Sequence, residues 1–411
     1  MQINTDAKQG AAKIMQQADQ LGTFSAMENG LLRAYLTPEH KAAHQQIDQW
    51  MQLANLETWE DSVGNQWGRK VAKNPTMPTL LIGSHSDTVA NAGKYDGNLG
   101  VLLAIEAMLQ LSDVELPFHV DIVAFADEEG TRFNTTLIGS SAVAGGFQEE
   151  WLAVTDSDGI SMAQAMTHFG LDPALAGKDQ RLADDILSYL EVHIEQGPVL
   201  EDLDLPVGVV TGIAGAKRYQ FKLKGMAGHA GTVPSNLRRD AMCGTAEMVS
   251  AIEQFAIDNE IVATVGRCDV FPAAVNVIAG EVHFTIDIRS QCQSTLERCC
   301  ETLLQMLSDI ATKRQLTLTH EKLYQAEAVL CDDDLQKKWG EVVEQHTQKP
   351  PRFLSSGAGH DAMVMTNITD IGMLFVRCEK GISHNPREQV IESDVAVALN
   401  CLVDMIKKLT D

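Results

Sequence analysis

The chain has 411 residues, 45% of them apolar and 21% charged, and carries a formal net charge of −24. That length accommodates two domains with sizeable cores, and the acidity excludes nucleic acid and anionic membrane surfaces as partners, because both need clustered Lys and Arg. The start, MQINTDAKQG, has no basic or apolar leader, no apolar run nears the ~20 residues of a membrane span, and the eight cysteines, all from Cys243 onward, form no CxxC pair; reduced thiols in a cytoplasmic protein are expected.

In chain order, apolar residues spaced by three and four predict helices over Asn4–Leu21 and Thr37–Leu53. Thr37 is placed to cap the second, with Pro38 at the first helical position and Glu39 behind it. Short apolar runs at Thr79–Gly83, His119–Ala126 and Ser188–Ile194 predict buried strands of a mostly parallel sheet, with Gly100–Leu111 as the crossover helix between the first two. Beyond Gly212 the pattern changes. Arg218–Lys224 and Glu281–Arg289 alternate, the latter with Val282, Phe284, Ile286 and Ile288 on one face, as half-exposed antiparallel strands do. Helices over Arg238–Ile257 and Gln293–Arg314 sit among them. From about Tyr324 the earlier style returns, with an apolar run at Ile371–Cys378 and an amphipathic helix over Ser393–Leu409. The expected fold is α/β with two domains. The larger has a mixed, mostly parallel sheet with helices on both faces, in two parts, 1–212 and 327–411. An α+β domain with an antiparallel sheet, 213–326, is inserted in it, and a hinge is expected near Gly212 and Ala326.

Polar groups cluster where the apolar runs end, as functional groups do at the carboxyl ends of strands in open α/β sheets. The stretch GSHSDTVANAGKYDG delivers His85 and Asp87, two apart and so on one side of an extended chain, then Asp96 between Gly93 and Gly97. VDIVAFADEEGTRF ends in Asp127, Glu128 and Glu129; YLEVHIEQGP delivers His193, Glu195 and Gln196; GISHNP delivers His384. A strand-end histidine, an acidic pair or a glycine turn is ordinary by itself. Together they form a nitrogen and oxygen donor set without thiolate, suited to zinc and also to manganese or cobalt. His85, Asp96, Glu129, His193 and His384 exceed the four ligands of one tetrahedral ion. Two ions sharing one carboxylate and one water use them all. Glu128 is then left over as a general base, and Asp87 as the group that orients His85.

Taken in order, GSHSDTV, KYDGNLGV, ADEEGTRF, EVHIEQGP, KGMAGHAGTVP, SGAGHDA and ISHNP make the chain resemble the dinuclear-metal amidohydrolases. That family holds N-carbamoyl-L-amino acid hydrolases, β-ureidopropionases of the yeast type and allantoate amidohydrolases, within the wider aminoacylase and carboxypeptidase superfamily. The resemblance spans nearly the whole chain. It implies Asp96 as the bridge, His85 and His193 as private ligands of one ion, and Glu129 and His384 of the other. It implies that Glu128 moves the proton from the nucleophilic water to the leaving nitrogen. The inserted domain becomes a lid and a homodimer interface. His229 becomes the donor to the scissile carbonyl, from its own or the partner subunit. Gln196, Asn276 and Arg289 become the residues holding the ureido group and the substrate carboxylate, and Gly357, Ala358, Gly359 and His360 a pocket-lining loop. Arg289 suits a carboxylate because a guanidinium grips it with two hydrogen bonds; a salt bridge to Asp287 on the same strand is the competing use. Two departures, Ser86 for an apolar residue and Asn134 for glycine, touch no implied ligand. The wording of NAGKYDGNLGV and RFNTTLIGSSAVAG favours allantoate as substrate, with N-carbamoyl-L-amino acids as the alternative and a peptidase or deacylase behind both.

Overall fold

The structure is a computed structural model describing residues 5–410; the predicted helix start at Asn4 lies outside them. The chain divides into two compact units, residues 1–211 with 330–411, and 212–329. The expected inserted segment, 213–326, begins one residue later and ends three residues earlier than the second unit.

The first unit holds a nine-stranded sheet. Along it run Glu57–Glu60, Gln66–Lys70, His119–Phe125, Thr79–His85, Ile186–Ile194, Ile371–Val376, Val207–Ile213 and Val329–Leu330, with Phe353–Ser356 also paired to Val207–Ile213. The four central strands pair in parallel. Gln66–Lys70 and Val207–Ile213 join this centre antiparallel. Thr79–His85 and His119–Phe125 are buried at every position, as strands covered on both faces must be. One core gathers Thr5–Leu21, Asn98–Gln110, Asp333–Thr347 and Glu392–Lys408 against the sheet, and a second lies around Phe133, Ile138, Met166 and Phe169. The helix Pro38–Leu53 begins as its sequence dictates: Thr37 Oγ1 accepts from the His40 N–H at 3.3 Å, a cap worth about 1 kcal/mol.

In the second unit the strand Glu281–Ser290 lies between Gly215–Lys224 and Cys268–Phe271, all antiparallel. Val282, Phe284, Ile286 and Ile288 are buried on one side, with the helices Ala241–Asp258 and Gln293–Lys313 completing the core.

The helix Pro38–Leu53 also explains Ser86. His40 Nε2 lies 3.0 Å from His44 Nε2, and His44 Nε2 in turn hydrogen-bonds Ser86 Oγ, all fully buried. Ser86 Oγ also donates to the Phe125 carbonyl at 3.0 Å. Burial, reinforced by the Arg33 charge, pushes His44 down to about 3, and burial beside His44 pushes His40 well below its usual range. Both rings are therefore neutral in the fold. An unfolded chain takes up their protons below its own histidine pKa of about 6.5, so stability is level above that pH and falls as pH drops beneath it. Thermal melts are expected to show a Tm falling between pH 6.5 and 5, and a shallower fall in His44→Gln. An unchanged slope in that variant would remove the pair from the account.

Candidate metal centre

The carboxyl ends of the parallel strands carry the site. His85 closes the strand Thr79–His85, and His193 lies one residue before the end of Ile186–Ile194, its neighbour. The loop after His85 brings back Asp96. Asp96 Oδ1 is 3.1 Å from His193 Nε2 and 3.5 Å from His85 Nε2, while Oδ2 is 3.2 Å from His384 Nε2. His384 Nε2 is also 3.4 Å from Glu129 Oε1. This return needs glycine at 97. Its φ is +67°, and a Cβ there would meet the His85 ring at 2.5 Å. Gln196 and His384 also hold left-handed backbone, with φ of 55° and 52°.

Two ligand groups result. His85, Asp96 and His193 present donor atoms within 4.8 Å of one another, and so do Asp96, Glu129 and His384, with Asp96 common to both. Glu128 joins His85 and Glu129 in a third group. Asp87 does more than the sequence implied. Its carboxylate accepts from the backbone N–H of Glu128 at 2.9 Å and of Glu129 at 3.2 Å, fixing the acidic turn. Its Oδ1 is 3.4 Å from His85 Nδ1, but the shorter contact of that nitrogen is to the Asp87 backbone carbonyl, at 3.1 Å.

Sequence reasoning missed Ser383 and Glu388. Ser383 Oγ lies 2.8 Å from Asp96 Oδ2 and 3.0 Å from Glu388 Oε2, and Glu388 Oε1 accepts from the N–H groups of Tyr95 and Asp96 at 2.8 and 3.2 Å. A Cβ at Gly93 would lie 2.2 Å from Glu388. The available signal was position, since Ser383 precedes His384 and Glu388 follows it by four.

The sequence profile of Peptidase family M20/M25/M40 matches residues 81–408. The chain belongs to this family. Allantoate deiminase of Arabidopsis thaliana is 39% identical over 94% of this chain and 80% of that protein. An N-carbamoyl-L-amino acid amidohydrolase of Geobacillus stearothermophilus is 38% identical over 97% and 98%. Among solved structures, an amidase of the hydantoinase/carbamoylase family from Burkholderia multivorans superposes with a TM-score of 0.90 at 29% identity, covering 96% of this chain and 97% of that one.

M20 enzymes bind divalent metal ions, and the donors here fit such an ion by their charge state. Burial lifts Glu128 well above the usual carboxylate range and Glu129 to about 7. Hydrogen bonding to Asp96 lifts His384 to about 9. Burial opposes a charge on His85, yet Asp87 and Asp96 hold its pKa well above the ordinary value. Acids and imidazoles so placed hold protons that a divalent cation displaces.

The other implied residues fall in two places. In the first unit, Gln196 Nε2 donates to Asp96 Oδ2 at 2.8 Å, and its Oε1 is buried without a partner. A Cβ at Gly359 would lie 3.6 Å from Glu128 Oε1, so the SGAGHDA loop borders Glu128. Within that loop the Ala358 N–H is engaged by Ser356 Oγ at 3.1 Å, and nothing lies within 4 Å of a Cβ at Gly357. His360 Nε2 bonds Ser356 Oγ at 2.7 Å, and its ring centre is 4.4 Å from that of His193. In the second unit, His229 pairs in register with Val277, beside Asn276, and both His229 and Asn276 are exposed. The Gly231 N–H donates to His229 Nδ1 at 3.1 Å, which places the ring proton of a neutral imidazole on Nε2. Arg289 grips Asp287 with two bonds of 2.8 and 3.0 Å.

Proposed function

We propose that the chain is an allantoate amidohydrolase, hydrolysing one ureido group of allantoate to give ureidoglycine, ammonia and carbon dioxide. The supporting observation is the pair of ligand groups that share Asp96 with Glu128 beside them. We assign His85 and His193 to one divalent ion, Glu129 and His384 to a second, and Asp96 to both, with zinc or manganese, and also cobalt, suited to the donors. The ions supply Lewis acidity and make water a stronger acid. Glu128 takes the proton from the attacking water and hands it to the departing nitrogen. Asp87 fixes the backbone on which Glu128 stands. The orphaned Gln196 Oε1 accepts from a ureido N–H. His229, with its proton on Nε2, donates to the carbonyl oxygen as charge builds there. Asn276 orients the ureido group, and Arg289 takes the substrate carboxylate in the place now held by Asp287. The SGAGHDA loop, including His360, lines the pocket. We assign the second unit to a lid and to a homodimer interface in a cytoplasmic enzyme.

Relatives named for allantoate and relatives named for N-carbamoyl-L-amino acids match at nearly the same identity, 39% and 38%, so N-carbamoyl-L-amino acid hydrolysis is the second reading. Ammonia release by the manganese-loaded protein, on allantoate and on a panel of N-carbamoyl-L-amino acids, separates them. A kcat/KM at least tenfold higher on allantoate is expected. The opposite order keeps the site assignment and overturns the substrate, and silence on both moves the chain to the peptidase or deacylase reading.

A further inference from the structure

The segment GLLRAYL, between the first two helices, carries an arginine that none of the chemistry above uses. Arg33 is fully buried. Its Nε donates to the Ser86 carbonyl at 2.8 Å, Nη1 to the Leu21 carbonyl at 2.7 Å, and Nη2 to Asn98 Oδ1 at 2.8 Å. Its backbone exchanges bonds with Thr88, N–H to Oγ1 at 2.8 Å and carbonyl from N–H at 2.9 Å. All the side-chain acceptors are neutral, and among the described residues no carboxylate lies within ion-pair distance of the guanidinium.

A buried cation without an adjacent carboxylate is expensive, and an apolar side chain of similar volume would pack there at less cost. The geometry gives a reason for keeping it. Ser86 is the residue after His85. Asn98 is two beyond Asp96 and returns a bond from Nδ2 to the Asp96 carbonyl at 3.1 Å. One planar fork therefore joins the strand end carrying His85 to the helix start that follows Asp96, and anchors both to the end of the helix Thr5–Leu21. The field of Asp87 favours the charge that this fork carries, while burial lowers Arg33 to about 10, still protonated at neutral pH.

We propose that Arg33 is a positioning residue that sets the spacing of His85 and Asp96 from behind, and so fixes the affinity of the ion those two residues share. The proposal rests on the two-ion reading above. A lysine cannot replace the fork, because one ammonium at the end of a flexible stem cannot reach three acceptors in a fixed plane.

The test is ion binding, with zinc alone as the probe, titrated into ion-free protein against a chromogenic chelator, and Tm recorded in parallel. The variants are Arg33→Met, Arg33→Lys and Asn98→Ala. The last removes the Arg33 Nη2 acceptor together with the Nδ2 bond to the Asp96 carbonyl, and leaves the Arg33 bonds to Ser86 and Leu21 in place. Wild type is expected to take up two ions. Each variant should hold one of them with about 10- to 100-fold lower affinity, the usual effect of removing a group that orients a ligand. A lower Tm with both affinities unchanged would reduce Arg33 to a structural role and overturn the proposal. Wild-type affinity in Arg33→Lys would overturn it also, since charge alone would then suffice. A wild-type chain that takes up no ion would overturn the two-ion reading and this proposal together.

Discussion

Glu128→Gln is expected to keep its ions and its Tm while turnover falls by about 10²- to 10⁴-fold, the range that a positioned general base supplies. The reason lies in how Glu128 is held. Asp87 grips its backbone N–H, not its side chain, so an isosteric amide leaves the acidic turn in place. What disappears is the group that accepts the proton of the attacking water. Metal content of the dialysed variant and kcat on the preferred substrate settle the matter together. Loss of both ions in this variant would mean that Glu128 is a ligand and that Glu129 is the base.

Asp96→Asn should have the larger effect on the ions themselves. Asp96 is the residue that the group of His85, Asp96 and His193 shares with the group of Asp96, Glu129 and His384. Its Oδ2 also receives Gln196 Nε2 at 2.8 Å, where an amide NH₂ would set donor against donor. An amide oxygen alone cannot neutralise two cations. The dialysed variant is expected to retain at most one ion, with turnover reduced by more than about 10³-fold, because both ion chemistry and proton transfer depend on the intact pair. Two ions retained at wild-type affinity would sink Asp96 as the shared ligand.

Much of this was legible in the residues. The long apolar runs that became central strands are buried on both faces, and such burial leaves a continuous hydrophobic signature. The edge strand Glu57–Glu60 and its neighbour Gln66–Lys70 left no such mark: they are short and carry Glu, Gln, Arg and Lys. The antiparallel flank that these two strands form was hidden for that reason. The Thr37 cap placed one helix start to within a residue, but the helix capped by Asp240 begins three residues later than expected, and the one from Gln293 begins where expected without a side-chain cap. Asn98–Gln110 starts behind Gly97 without a side-chain cap, two residues earlier than its apolar pattern begins. In the site, His85, Asp96, Glu129, His193 and His384 stood out because imidazoles and carboxylates follow buried runs. Glu388 did not, since one acid in a polar loop has no periodicity to betray it, and only the returning chain shows that it holds the Asp96 loop. Arg33 was invisible for the converse reason, being a charged residue in an apolar segment whose acceptors are backbone carbonyls and a distant asparagine side chain.

The two ligand groups are distributed unequally along the chain, and biosynthesis reads the chain in order. By the time the strand Ile186–Ile194 has emerged, His85, Asp96 and His193 are all present. The group of Asp96, Glu129 and His384 waits for the whole inserted unit and then for the strand Ile371–Val376, which pairs in parallel with Ile186–Ile194. Closing that loop costs entropy that rises only slowly with its length, so the long insertion delays the second group in time far more than it weakens it in free energy. The group of His85, Asp96 and His193 is thus complete in sequence before the inserted unit begins, and on the two-ion reading the second ion's ligand set is the one that depends on residues translated after that unit.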